Sequence, residues 1–318
     1  MILRTPSFYK NFKCIAGDCP DSCCQGWEVD ADEKSLNYYK TLSGDIRKKI
    51  DNVLDKDEFG NTIFRLAEKK RCPFLNSENL CDMHIAIGGE HTPYTCRTFP
   101  RFINDFGGTR EMGISFSCPV ASDMMYNLRE PMRFTDDFLD ELPALNDIDA
   151  QTYFYLTKAR KTAFEIIQNR NKPISKRLIE LLEIGKEWQK DLENYPEPFD
   201  DIEFFDIFKN PELINPEWAQ KVDNGKIKPI ENNVFYENIA SYFIFRYFLQ
   251  AVNDYDVLSK IKMAAVGVLI SEFFGNDSWT IHLWSKETEH SQYNMDRYIK
   301  LLRSAKCLST ENLIKLLK

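Results

Sequence analysis

The sequence predicts an α+β protein, mainly helical, in which a small cysteine-rich metal-binding module with a β-hairpin precedes a helical region. Three observations carry that expectation. Of the nine cysteines, eight come no later than Cys118, and four of those fall between Cys14 and Cys24. Gly107-Gly108 separates two alternating runs, Phe102–Phe106 and Arg110–Phe116, which is a hairpin signal. From about residue 150 the pattern changes to long, apolar-periodic stretches. The division is placed at residue 130, with the module over 1–130 and the helical region over 131–318.

Residues 1–27 read as an extended, loop-rich entry punctuated by Gly17, Pro20 and Gly26. Asp30 is placed as the cap of a helix running to about Leu54, with Leu36, Tyr39, Leu42, Ile46, Ile50 and Val53 at helical spacing. Gly60-Asn61 marks a turn, and Thr62–Leu66 reads as a short strand. The segment from Cys72-Pro73-Phe74-Leu75 to Leu80-Cys81 reads as two brief extended pieces around a polar turn, a shape that brings two thiols together. A short helix over Met83–Ile87 is stopped by Gly88-Gly89. After the hairpin, a helix begins at Ala121–Leu128 and Pro131 ends it.

Long helices are expected over Gln151–Arg170, Ser175–Asn194, Val234–Val252, Val257–Phe274, Asp277–Ser291 and Tyr293–Ala305, with a short one at the C-terminus. Tyr195-Pro196-Glu197-Pro198 and the stretch from Asn210-Pro211 to Pro216 interrupt them. The aromatic run Phe235, Tyr236, Tyr242, Phe243, Phe245, Tyr247 and Phe248 surrounds its helix on nearly every side, the mark of a fully buried core helix.

Composition narrows the function. A net charge of −8 and a pI near 5.3 argue against nucleic acid as a partner. Such a surface serves solubility first, and it also suits a basic segment of another protein. No run of about 20 apolar residues exists, so no membrane span is expected. The start, Met1-Ile2-Leu3-Arg4-Thr5-Pro6, has no signal-peptide character, which points to a reducing cytoplasm. There a metal, and not a disulfide framework, is the device that holds crowded thiols. Vicinal Cys23 and Cys24 would in any case make an awkward pair.

The opening reads C-x4-C-x3-C-C, from Cys14 through Cys19 and Cys23 to Cys24. A closed zinc site is typically built from two C-x2–4-C knuckles, which these spacings fit poorly. Iron–sulfur clusters take four thiolates from more varied spacings, often with a following proline. Cys19-Pro20, Cys72-Pro73 and Cys118-Pro119 have that form. A [4Fe–4S] cluster therefore stands ahead of zinc. One cluster uses four of the eight thiols, and the others could form a second site or pack as small hydrophobes. Cys307, alone in the helical region, is expected to be such a filler.

The C-x4-C-x3-C-C opening, Cys72-Pro73-Phe74-Leu75 with Leu80-Cys81 closing the turn, Cys96-Arg97-Thr98-Phe99-Pro100-Arg101 and Ser117-Cys118-Pro119 together resemble the bacterial flagellin lysine N-methylases. These belong to a wider set of cysteine-rich proteins with zinc- or iron-chelating domains. The resemblance covers about residues 1–130. It implies S-adenosylmethionine (SAM)-dependent methyl transfer to lysine ε-amines, with flagellin as the protein substrate and an iron–sulfur cluster as cofactor. By the same resemblance the metal ligands fall on Cys14, Cys19, Cys23, Cys24, Cys72, Cys81, Cys96 and Cys118.

The residues themselves show neither a G-x-G-x-x-G nucleotide loop nor the C-x3-C-x2-C of radical SAM enzymes, because Gly26 occupies the third position after Cys19 and Cys23. Methyl transfer needs the ε-amine, of reference pKa about 10.4, to lose its proton, which desolvation and a nearby carboxylate, tyrosine or histidine can arrange. No catalytic base is assigned. His84 and His91 lie among the cysteines and read as plain residues. Arg97 and Arg101 are candidate partners for the SAM carboxylate, against the alternative of ordinary salt bridges. The rival to an enzyme is a non-catalytic iron–sulfur carrier or zinc-stabilised adaptor.

Overall fold

The computed structural model describes residues 1–57, 60–143, 147–209 and 212–318, so the Asn210-Pro211 break lies outside the described residues. The chain is α+β and mainly helical. Its strands are β1 (Ile2–Pro6), β2 (Val29–Asp30), β3 (Leu54–Lys56), β4 (Thr62–Phe64), β5 (Arg101–Phe106), β6 (Thr109–Ile114) and β7 (Phe134–Phe138). Two compact units form. The smaller comprises Lys13–Arg101 and Cys118–Val120; the larger comprises Met1–Phe12, Phe102–Ser117 and Ala121–Lys318.

The larger unit thus takes the first twelve residues and the hairpin, which the division at residue 130 would give to the cysteine module. Strand pairing explains the difference. One sheet has the order β5-β6-β1-β7, with β1 parallel to β6 and antiparallel to β7. Residues this far apart in sequence leave no local trace of their pairing.

In the smaller unit, β2, β4 and β3 form an antiparallel sheet that sets Val29 and Leu54 opposite Phe64. The single helix expected from Asp30 is two, Glu33–Tyr39 and Gly44–Val53. Gly44 takes φ +77, a left-handed conformation that a helix interior does not accept, so the apolar period continues while the axis changes. The cap is Asp32, whose carboxylate accepts from the Ser35 N–H at 3.0 Å, while Asp30 pairs in β2. Tyr39, Ile50, Phe64, Phe74 and Met83 are the most deeply buried side chains here. The helix Asp82–Ile87 ends at Gly88 with φ +83, as its sequence implies.

In the larger unit the helix Val257–Phe274 is buried along its whole length and packs on Val234–Tyr247. A Cβ at Gly267 would stand 2.4 Å from the Phe243 ring, so the glycine permits this close approach. The aromatic helix is a core helix, and it ends at Tyr247 with a further short helix over Ala251–Asp254. The remaining long helices fall at Ala150–Ile167, Ile174–Leu192, Ser278–Glu289 and Gln292–Ser304.

One helix, Pro216–Asp223, was not expected, because Pro216 reads as a breaker. At the first helical position its missing N–H costs nothing, and Asn215 caps the helix by accepting from the Glu217 N–H. A buried bidentate pair, Arg160 to Glu111 at 2.7 and 2.6 Å, anchors β6 to the helix Ala150–Ile167. No helix among the described residues is long and apolar enough to cross a membrane.

Candidate metal centre

The smaller unit collects all eight cysteines of the motif. Cys14 to Cys24 lie in its first loop, and Cys118 belongs to it through the returning piece Cys118–Val120. Local bonding shapes the loop. Cys14 Sγ accepts from the Ala16 N–H at 3.4 Å, and the Cys19 thiol donates to the Asp21 carbonyl at 3.2 Å. A Cβ at Gly17 would come within 2.8 Å of the Glu78 carbonyl oxygen, so only glycine lets this loop lie on the 76–80 turn.

Asn76 closes that turn by accepting from the N–H groups of Glu78 and Leu80 at 2.9 and 3.0 Å. The antiparallel bridge of Leu75 with Cys81 then sets Cys72 and Cys81 at its foot, the thiol-gathering shape that the sequence implies. The Cys72 N–H donates to the Cys24 carbonyl at 2.8 Å and joins the turn to the first segment. Cys96 arrives on the helix Tyr94–Thr98, whose first N–H donates to Asp32 at 2.7 Å.

This packing brings Cys14, Cys23, Cys24, Cys72, Cys81 and Cys96 within reach of one another's charge, with Cys24 at the hub. The Cys23 thiol is pushed far up, first by its hydrogen bond to Cys24, then by burial and the charge of Cys24, Cys14 and Cys96. Burial pushes Cys72 up to about 12, with Cys24 and Cys81 adding, while the N–H groups of Phe74 and Leu75 pull the other way. Burial raises Cys81, opposed by the N–H groups of His84 and Met83. Cys96 is exposed as a residue, yet crowding around its sulfur raises its pKa most, ahead of the charges of Cys24, Cys72 and Cys81.

Burial, the Cys23–Cys24 hydrogen bond and neighbouring charge thus oppose ionisation of Cys23, Cys72, Cys81 and Cys96, and a bound cation would reverse that balance. Backbone N–H groups already aim at three sulfurs, at Cys14, at Cys72 and at Cys81, where the His84 N–H lies 3.4 Å away. That is the outer hydrogen bonding that thiolate ligands use. All nine cysteines are free of disulfides. Among the described residues no three His, Cys, Asp or Glu side chains stand close enough to share one metal ion. The side chains available to a metal group in this unit are these six thiols, with backbone N–H groups near the sulfurs of Cys14, Cys72 and Cys81.

Arg97 gives Nη1 to the Thr92 carbonyl and to Ser35 Oγ, and its guanidinium lies 5.8 Å from the Tyr94 ring. Nε and Nη2 meet no hydrogen-bond partner among the described residues. Arg101 is half-buried at the start of β5. His91 stacks on Tyr38 with ring centroids 3.8 Å apart, the plain structural reading. The His84 ring covers Gly89, where a Cβ would meet Nε2 at 2.5 Å. Cys307 lies in the larger unit, partly buried against its core, and burial pushes its thiol up to about 11.

A second polar constellation, which the sequence did not disclose, lies within the larger unit. The side chain of Glu289 is fully buried and accepts from Tyr242, Tyr247, Ser285 and Ser115, with Arg246 at 3.1 Å. The Arg246 guanidinium lies 4.7 Å from the Phe102 ring centroid and 5.2 Å from that of Tyr247. Burial and the nearby charge of Arg246 push His290 down to about 3, so its ring is neutral, and Nε2 sits 2.7 Å from Ser117 Oγ. Five donors already converge on Glu289, so the network rigidifies these helices. Arg246 within an apolar helix was the one visible sign of it.

The chain is similar to three curated proteins. It is 24% identical over 127 residues to the flagellar biosynthetic protein FliU of Salmonella muenchen, a match covering 38% of this chain and 75% of that protein. It is 23% identical over 136 residues to the lysine-N-methylases of Salmonella choleraesuis and Salmonella typhimurium, covering 41% of this chain and 34% of each. The matched region thus spans about a third of the two methylases. No protein-family model matches the chain, and no solved structure does. The chain is similar, distantly and over part of its length, to proteins of flagellar biosynthesis and lysine methylation.

Proposed function

We propose that the chain is a cytoplasmic protein-lysine N-methyltransferase that uses SAM, acts on flagellin, and carries an iron–sulfur cluster in its cysteine unit. The observation that carries this reading is the similarity, over 136 residues, to proteins named lysine-N-methylase. The similarity to a protein of flagellar biosynthesis supports the choice of flagellin as the substrate. The gathering of thiols in one unit supports the metal, and their spacing suits a cluster better than zinc.

Cys24, Cys72, Cys81 and Cys96 are the ligand set we favour, since Cys24 shares charge with each of the other three. When bound, such a group takes its ligands as thiolates and adds its binding free energy to folding. The free edge of Arg97, Nε with Nη2, would take the carboxylate of SAM bidentately. The ε-amine of the substrate lysine then needs only desolvation and a proton acceptor before attacking the sulfonium methyl in line.

The test is methyl transfer from labelled SAM to flagellin by anaerobically purified protein, with its absorption spectrum and iron content recorded. Lysine-borne label and a broad visible absorbance are expected. Iron-replete protein that leaves flagellin unlabelled would return the chain to the non-catalytic carrier. Stoichiometric zinc without iron would replace the cluster by zinc.

A further inference from the structure

β7 leaves one edge of its sheet open. In its pairing with β1, the Leu139 N–H donates to the Met1 carbonyl and the Ser7 N–H to the Arg133 carbonyl, both at 2.9 Å. The register sets Leu3 opposite Asp137 and Thr5 opposite Thr135. Main-chain groups alternate sides along an antiparallel strand. The odd-numbered residues therefore bond to β1, and Phe134, Asp136 and Phe138 turn their N–H and C=O groups outward. The sheet order ends at β7, and no strand among the described residues takes up those groups.

From Thr135 to Phe138 the strand is exposed, with Phe138 at 89%, and Leu142, four residues past its end, is 90% exposed. Charge is concentrated beside this edge. Residues 134–150 carry Asp136, Asp137, Asp140, Glu141, Asp147 and Asp149 with no lysine or arginine. Arg4, Lys10 and Arg110 answer three of them. Asp140 and Asp147 are exposed, and no ion pair holds either among the described residues.

A hollow of about 510 Å³ opens at the start of the helix Ala150–Ile167, walled by Asp147, Asp149, Asn253 and Tyr255 among others. The hairpin ties this place to the end of β7. Phe106 packs 5.9 Å from Tyr153, and Arg110 reaches Glu141 at 2.8 Å. An open edge with exposed apolar side chains is a template for another strand. Acids along it repel a second copy of the same edge and select a basic occupant.

We propose that the open edge of β7 docks an extended, lysine-bearing segment of the protein substrate. The segment adds as a further antiparallel or parallel strand, bonding to the outward groups of Asp136 and Phe138, with lysines against Asp140, Asp147 and the hollow. This deepens the proposed activity and rests on the substrate being a lysine-bearing protein.

The test uses a short fluorescent peptide of alternating lysine and threonine, titrated against the full chain by anisotropy with no SAM present. Saturable, salt-sensitive binding is expected, with none for the matching glutamate peptide. Phe138→Pro removes one outward N–H and no bond to β1, and should weaken binding about tenfold or more, with helicity unchanged by circular dichroism. Asp140→Lys with Asp147→Lys, which leaves the backbone alone, should weaken it comparably. The proposal fails if wild type does not bind, if both variants bind as tightly as wild type, or if the glutamate peptide binds equally. It also fails if wild type sediments as a dimer that Phe138→Pro dissociates, since the edge would then serve self-pairing. Binding without methyl transfer would refute the proposed activity and leave the dock standing. Methyl transfer without binding would refute the dock alone.

Discussion

Every one of the 18 residues of the helix Val257–Phe274 is buried, whereas the longest helix of the cysteine unit has 10 residues and buries only Ile50. The larger unit rests on long helices and an aromatic core in which Trp218, Trp284, Phe235, Phe243 and Phe248 are almost wholly enclosed. The smaller rests on strands of two or three residues, short helices and a limited apolar cluster. Its crowded thiols are a cost without a metal and a strong attachment with one. Free energy comes from carbon in one unit and, on this reading, from metal–sulfur bonds in the other. The two should respond to different insults.

The largest effect separates them directly. Structural metal sites contribute about 10–16 kcal/mol of apparent binding free energy, at or above the stability of a whole domain. Chelating or oxidising away the metal should raise hydrogen exchange throughout residues 13–101 and leave Val257–Phe274 protected. Equal protection in the two units after stripping would remove the metal from the account of folding.

The reverse insult is a break in the larger unit. Arg160→Met strands the Glu111 carboxylate in the core and should cost about 3–5 kcal/mol. A urea titration followed by far-ultraviolet circular dichroism would read that loss, and iron content should stay at the wild-type ratio in the folded fraction.

Acid should act through the larger unit as well. His290 is held down to about 3 from an ordinary value of 6.5. Above pH 6.5 it is neutral whether the chain is folded or not. As pH falls below that, the unfolded chain takes up a proton that the folded one refuses, so stability declines. The loss should reach roughly 3 kcal/mol by pH 4 and shrink in His290→Gln. Parallel pH profiles for the two proteins would show that His290 is not the group responsible.

The smallest effect tests where the cysteines divide. Cys307→Ala should cost about 1 kcal/mol through lost packing and leave metal content unchanged. Cys24→Ala should lower metal content sharply. Metal loss in the Cys307 variant would mean that the thiol outside the cysteine unit contributes a ligand.

Much of this was readable along the chain. The buried helices Val234–Tyr247 and Val257–Phe274, the Gly107-Gly108 hairpin, the turn between Cys72 and Cys81 and the stop at Gly88 are local events. Each is set by apolar period, by left-handed glycines or by a side chain closing its own turn. Tertiary structure alone decided what depends on distant partners. β1 and β7 are short and carry no alternation strong enough to announce them, and they exist because their main-chain groups find each other across more than a hundred residues. The assignment of the hairpin to the larger unit follows from the same sheet. So does the convergence on Glu289, whose donors come from three separate parts of the chain. Sequence fixes which thiols are available, and only packing determines that six of them share one neighbourhood, because electrostatic coupling depends on distance in space and not on spacing in the chain.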